Sequence, residues 1–370
     1  MSTSDFSFYK GKRVLVTGHT GFKGSWMCRV LQLLGADVCG YALREGLVSP
    51  LDNTYDQPSL FGIAGIENGM NSVVGDIRDY ERLYNTFREI KPEIVIHMAA
   101  QPIVRTSYRA PRYTYEVNVM GTVNVLECAR NTESVRSIVN VTTDKVYRND
   151  DLDHAFKEDE FLDGYDPYSN SKSCSELVTS SYKHSFFNEA DIPVSTCRAG
   201  NVIGGGDFAS DRIVPDCYRA ASMGNDIIVR NPYSTRPYQH VLEPVFAYLL
   251  VAMKQCLDHG YAGSYNIGPN DDSCINTGEL ADRFCTCWHK YTDSNIDWVN
   301  KHDGGPHEAG FLRLDNSLYK NTFGSGPVWN IDDALDKTVL WYATYYMNGD
   351  YSKCMDDQIN EYLRLITEKY

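Results

Sequence analysis

The chain has 370 residues, of which 42% are hydrophobic and 23% charged, with a formal net charge of −14. That composition supplies a sizeable core, enough for one large domain or two closely joined ones. The acidic balance argues against a general nucleic-acid binder, so an anionic ligand would have to be held by local donors.

Met1 to Arg13 is polar with no apolar h-region, and no apolar run is long enough to span a bilayer. The cytoplasm is therefore expected, with no membrane partner. The 11 cysteines are scattered and odd in number, which reads as reduced thiols rather than a disulfide framework. Cys285, Cys287 and His289 form the tightest cluster, but no second pair has zinc-ribbon spacing, so no metal is expected.

Short apolar runs alternate with helical patterns through the first half. Arg13–Thr17 reads as a strand, Phe22–Leu34 as a helix closed by Gly35, and Asp37–Ala42 as a second strand. Leu47–Asn68 reads as a surface loop. Strand Asn71–Gly75, helix Tyr80–Ile90 and strand Ile94–His97 follow. Then come helix Pro111–Arg130, strand Ser137–Thr143, helix Pro167–Asn188 and strand Val194–Arg198. This alternation implies βαβ units in a Rossmann-type, doubly wound parallel sheet, an α/β fold. After Gly200 the periodicity weakens. Tyr265–Ile267 reads as one more strand and Glu279–His289 as a helix. The expected division is a dinucleotide-binding domain over 1–200, with a return segment near 235–265. A smaller C-terminal α/β substrate-binding domain takes most of 201–370.

The first strand runs into Thr17-Gly18-His19-Thr20-Gly21-Phe22-Lys23-Gly24. Glycines at this spacing bare the backbone where a pyrophosphate must approach, and the following helix offers its N-terminal N–H groups. Dinucleotide binding by Gly18, Thr20, Gly21, Phe22, Lys23 and Gly24 is expected. The second strand does not end in an acidic residue for the adenosine ribose. Tyr41-Ala42-Leu43-Arg44 stands there instead, and Arg44 leaves NAD and NADP both open.

Asp166-Pro167-Tyr168-Ser169-Asn170-Ser171-Lys172 opens a helix, with Asp166 as N-cap and Pro167 at its first position. Tyr168 and Lys172 then share a face. A lysine beside a phenol favours the phenolate, which would make Tyr168 a usable base. With the glycine turn upstream, the pair resembles the short-chain dehydrogenase/reductase superfamily, in which a Ser or Thr at the end of an earlier strand completes the set. Thr143 fills that position. The extended branch is resembled further in Gly75-Asp76-Ile77-Arg78-Asp79, His97-Met98-Ala99-Ala100-Gln101, Asn118-Val119-Met120-Gly121-Thr122 and Arg198-Ala199-Gly200-Asn201-Val202-Ile203-Gly204. The resemblance covers Lys12 to about Asp315. It implies NAD as cofactor, contacted also by Asp76, Ile77, Ala99, Ala100, Gln101, Asn118, Thr143, Tyr168 and Lys172. It implies a homodimer through helices Pro111–Arg130 and Pro167–Asn188.

Oxidising a sugar C4 hydroxyl needs only Thr143, Tyr168, Lys172 and the cofactor. A 4,6-dehydratase also needs a base for the C5 proton and an acid for the departing C6 hydroxyl. The dTDP-glucose dehydratases of this family place Asp and Glu after the Thr. Here Asp144 is followed by Lys145. Thr143-Asp144-Lys145 with Tyr147 resembles the CDP-glucose-acting branch, which implies CDP-glucose as the small-molecule partner. The alternatives are a dehydratase or 4-epimerase acting on a dTDP-, UDP- or GDP-linked sugar.

Lysine is a base only when neutral, and its reference pKa is ~10.4. Burial and a neighbouring cation such as Lys172 could depress it. Lys145 is therefore either the C5 base or a charged stabiliser of the enolate.

For the substrate, the resemblance points to Arg212, Arg236, His240 and Asn201, with Arg105 near the sugar and His307 near the nucleotide. Arginine suits the diphosphate because it can bind phosphate oxygens through two parallel hydrogen bonds.

Overall fold

The computed structural model describes residues 5–45, 58–150, 154–301 and 312–370. Seven parallel strands form the main sheet in the order β11-β6-β5-β4-β1-β2-β3. They are β1 (Arg13–Thr17), β2 (Asp37–Ala42), β3 (Asn71–Val74), β4 (Ile94–His97), β5 (Ser137–Val141), β6 (Val194–Ala199) and β11 (Ser264–Ile267). The central strands are buried on both faces, as their near-continuous Val and Ile runs require. Strand order reverses between β1 and β4. The crevice beyond their C-terminal ends is where an open α/β sheet binds ligands.

The expected elements of the first half form with small shifts at their ends. α1 spans Phe22–Leu33 and α3 spans Tyr80–Ile90. The helix expected over 111–130 is broken into α5 (Pro111–Tyr115), a π-turn at Glu116–Met120 and α6 (Gly121–Arg130). α7 (Pro167–Tyr182) also runs into a π-turn, Lys183–Phe187.

Part of the stretch expected as a surface loop lies outside the described residues. The rest is at the surface in part but is not a plain loop: Leu60–Ile63 forms helix α2, and Leu60, Phe61 and Ile66 are buried in the core. Their apolar side chains pack down, and the Phe61 ring meets His19 edge-on.

α9 (Leu242–Leu257) was not expected. Thirteen of its 16 residues are buried, so it has no polar face to give a helical period. It is tied beneath the sheet by Tyr9 Oη donating to Leu249 O at 2.6 Å and Ser137 Oγ donating to Ala252 O at 2.9 Å.

The remainder carries short paired strands, β7 (Val202–Ile203) with β10 (Gln239–His240), β9 (Thr235–Pro237) with β12 (Cys274–Asn276), and β8 (Ile227–Val229) with β13 (Trp298–Asn300). Around them lie α4 (Val104–Arg109), α8 (Ile213–Ser222), α10 (Thr277–Thr292), α11 (Ser317–Phe323), α12 (Ile331–Tyr346) and α13 (Tyr351–Lys369). All eleven cysteines are free thiols. Among the described residues no helix is long and apolar enough to cross a membrane.

Candidate active site

β5 stops at Val141, two residues before the expected end. Thr142 still donates its N–H to Cys197 O at 2.9 Å, but the chain then turns into a short 3₁₀ segment, Asp144–Val146. Thr143 caps that turn. Its Oγ1 accepts from Lys145 N at 3.4 Å and donates to Asp144 Oδ1 at 3.0 Å. Asp144 is 2% exposed and its Oδ2 has no hydrogen-bond partner. Burial raises its pKa, offset in part by Lys145, Thr143, Arg236 and Lys23.

Tyr168 arrives from the first turn of α7. Asp166 Oδ1 accepts from Tyr168 N at 3.0 Å and Ser169 N at 3.1 Å, and Pro167 sits at the first helical position. Lys172 is one turn on, and its Nζ donates to Val141 O at 3.1 Å. Burial pushes the Tyr168 phenol up to about 12, and the groups pulling it back are Thr143 and Arg212. Lys172 spends its contact on the strand end, and burial lowers its own pKa to about 8. Lys145 lies close enough to Asp144 to oppose the upward shift of that carboxyl.

A buried ion pair underlies this floor. Glu176, two turns beyond Tyr168, meets Arg198 of β6 through two hydrogen bonds of 3.0 and 2.9 Å and accepts from Thr142 and Thr196. Arg198 reaches Tyr147 Oη at 2.7 Å, and Tyr147 donates to Asn266 at 2.7 Å. The network is fully partnered and holds the turn that carries Asp144 and Lys145. Sequence reasoning missed Glu176. Tyr168, Lys172 and Glu176 at spacing four is the signal that could have found it.

The floor opens into a cavity of about 500 Å³ lined by Thr143, Asp144, Lys145 and Tyr168 together with Arg105, Asn201, Arg212 and Arg236. That volume suits a small-molecule ligand. Arg212 donates to Asp207 at 2.9 Å and Arg236 to Thr235 O at 2.9 Å.

His240 does not belong to this set. It is fully buried between the rings of Trp26 and Trp329, its Nδ1 accepts from Leu242 N at 3.3 Å, and burial lowers its pKa to about 3. Neither it nor its neighbours Gln239 and Val241 line the cavity, and all three are buried. His307 lies outside the described residues. Also lining the cavity, and unforeseen in the sequence, are Asp207, Asp211, Asp216 and Arg230.

A second cleft of about 290 Å³ adjoins the first and is lined by Gly18, Thr20, Gly21, Phe22, Lys23, Gly24, Asp76, Ile77, Ala99, Ala100, Tyr168 and Lys172. Its geometry fits a dinucleotide. Gly18 has φ +76°, and a Cβ there would lie 2.8 Å from the Ala99 backbone. Gly21 caps α1 without a side-chain hydrogen bond, leaving the helix N–H groups for a phosphate. Lys23, Lys172 and Arg212 add positive charge, and burial with those two neighbours lowers Lys23 to about 8.

Gln101 and Asn118, expected to touch the cofactor, do not line the cleft. Each is 1% exposed. Gln101 N donates to Asn118 Oδ1 at 2.8 Å, and Asn118 Nδ2 donates to Gln101 O at 3.1 Å and Ser171 Oγ at 2.9 Å. They bind the end of β4 to α7 through the π-turn, so they build the wall rather than face the ligand.

A family described as GDP-mannose 4,6 dehydratase matches residues 15–325. The chain is 42% identical to a CDP-glucose 4,6-dehydratase of Salmonella typhimurium, over 98% of this chain and 99% of that protein. It is 32% identical to the dTDP-D-glucose 4,6-dehydratase of Homo sapiens, over 91% of each. Among solved structures, the dTDP-glucose 4,6-dehydratase of Bacillus anthracis in complex with NAD superposes with a TM-score of 0.72 at 22% identity, covering 92% of this chain and 100% of that one. A UDP-glucose 4-epimerase of Thermotoga maritima gives 0.73 at 20% identity, over 91% and 98%. At these identities the structural likeness speaks for the fold.

Proposed function

The chain belongs to the GDP-mannose 4,6 dehydratase family, and from that premise we propose that it converts CDP-glucose to CDP-4-dehydro-6-deoxyglucose and water, using NAD. The observation that carries this reading is Asp144, buried beside Thr143 on the cavity floor with Oδ2 unpartnered. A 4-epimerase has no use for an acid at C6.

Gly18, Gly21, Lys23 and the other residues lining the second cleft would hold NAD, which would supply the hydride acceptor for C4 and the hydride for C6. Thr143 holds the C4 hydroxyl, and Tyr168 takes its proton, its phenol drawn down by Thr143, Arg212 and the positive charge that a bound nicotinamide would add. Once C4 is a ketone, the C5 proton is acidic, and Lys145 removes it. Asp144, whose carboxyl burial shifts toward the protonated form, gives its proton to the departing C6 hydroxyl. Arg212 and Arg236 bind the diphosphate, with Arg105 and Asn201 on the sugar side.

The nearly complete overlap with the Salmonella typhimurium protein supports cytidine as the base. We also place the enzyme in the cytoplasm as a homodimer. Met120, Leu177 and Phe186 on the two π-interrupted helices are large exposed apolar side chains, and they support that pairing.

A panel of nucleoside diphosphate glucoses tests the reading. CDP-glucose with catalytic NAD should yield a product lighter by one water. If CDP-glucose is returned unchanged while another sugar nucleotide is dehydrated, the base assignment is wrong. If none reacts, the enzyme reading falls.

A further inference from the structure

Asp211 stands at the mouth of the substrate cavity between two arginines. Its Oδ1 accepts from Arg230 Nη1 at 2.8 Å, and Arg105 Nε lies 3.8 Å from the same oxygen. Arg105 comes from α4 in the first half of the chain, and Arg230 follows β8 in the second. Both line the cavity. One carboxylate therefore joins the two parts of the chain that wall the site.

Arg230 has a second anchor, with Nη2 donating to Asp216 Oδ2 at 2.7 Å. Loss of Asp211 would leave it oriented.

The neighbouring pair shows what a permanent partner looks like. Asp207 is 4% exposed, takes Ala209 N at 3.1 Å and holds Arg212 at 2.9 Å. The Asp211 side chain is instead 34% exposed, on a backbone with φ +63°. An exposed carboxylate is cheaply released to water. Guanidiniums that converge on a carboxylate can equally serve the oxygens of a diphosphate.

We propose that Asp211 is a resident stand-in for the substrate's diphosphate, occupying Arg230 until a nucleoside diphosphate displaces it, while Arg105 lies against the same carboxylate. This rests on the sugar-nucleotide reading above. Two consequences follow from the exchange. The Arg230 guanidinium is already engaged in the free enzyme, and each binding event must break its Asp211 contact, which weakens affinity.

The probe is CDP, titrated calorimetrically into the full chain. Asp211→Asn keeps the side-chain shape and tolerates the left-handed backbone. Asp211→Gly is the second variant, in case the amide perturbs folding. Both should bind CDP about 3- to 10-fold more tightly than the parent chain.

Removing a nearby negative charge would also help any anion, so the measurement is repeated with Arg230→Gln. The gain should vanish there, because the stand-in acts through Arg230. Equal or weaker CDP binding in the folded variants overturns the proposal, as does a gain that persists without Arg230. If the parent chain dehydrates CDP-glucose but neither variant gains affinity, the stand-in alone fails. If the parent neither binds CDP nor turns over CDP-glucose, the functional reading fails and takes the stand-in with it.

Discussion

The Thr143 hydroxyl donates to Asp144 Oδ1 at 3.0 Å, so two adjacent residues assigned to different steps are coupled through one proton. A threonine hydroxyl has a single hydrogen, and Tyr168 is also within its reach. While Thr143 serves Asp144, that carboxyl's other oxygen is left bare in a buried site. In the proposed reaction the bare oxygen carries the proton for C6. Asp144→Asn keeps the shape and cannot supply that proton. Dehydration should fall about 100- to 10,000-fold, while hydrogen exchange at C5 continues, read by deuterium uptake from solvent. Equal loss of exchange and dehydration would place Asp144 earlier in the reaction.

Lys145 should show the opposite split. Lys145→Ala is expected to slow deuterium uptake at C5 about 100-fold or more, with formation of the 4-keto sugar retained in single-turnover trapping. If keto-sugar formation is lost in parallel, Lys145 organises the whole turn rather than moving the C5 proton.

Gly200 tests how closely Asp144 is positioned. A Cβ at residue 200 would lie 3.1 Å from Asp144 Oδ2 and 3.0 Å from Pro237 Cγ. Neither can retreat far, since Asp144 is buried and Pro237 pairs in β9. Gly200→Ala should cost about 1–3 kcal/mol of stability by crowding and lower kcat about 10-fold through the displaced carboxyl. A variant with unaltered kcat and melting temperature would show the contact to be slack.

Residues close in sequence were legible; those joined only by the fold were not. The glycine turn and the Tyr168–Lys172 spacing could be read because a strand-turn-helix and one helical turn fix their geometry locally. Arg230 finds Asp211 and Asp216 across 19 and 14 residues that take in α8 and β8, a separation no single periodicity encodes. His240 was misplaced because it lies near Arg236 in sequence, while β10 points it at Trp26 and Trp329. Gln101 and Asn118 were read as ligands for cofactor because they sit beside residues that line the cleft. Their amide groups are consumed by each other and by Thr114 and Ser171. α9 was missed because a helix buried on every side has no amphipathic signature.

The buried histidines make a prediction about acid. His19 is lowered to about 4 and His97 to about 3, each by burial, and His240 to about 3 by burial and Lys337. A histidine depressed on folding contributes stability that is whole above its unfolded value of 6.5 and is lost as pH falls toward the folded one. Glu243 runs the other way. Burial raises its carboxyl to about 7 against donors from Tyr362, Trp329 and Val328, so its contribution is whole below 4.5 and lost as pH rises through about 7. Between those limits three histidines oppose Glu243, with the raised carboxyl of Asp144 on the side of Glu243. The net is about one to two protons taken up on unfolding, at most roughly 3 kcal/mol per pH unit. The melting temperature should therefore fall as pH is lowered from about 7 to about 5. His97→Asn, which keeps partners for Thr17 and Thr122 without a titrating ring, should flatten the slope. Glu243→Gln should steepen it by removing the opposing group. A melting temperature that rises on acidification would mean that these histidines are charged in the folded protein.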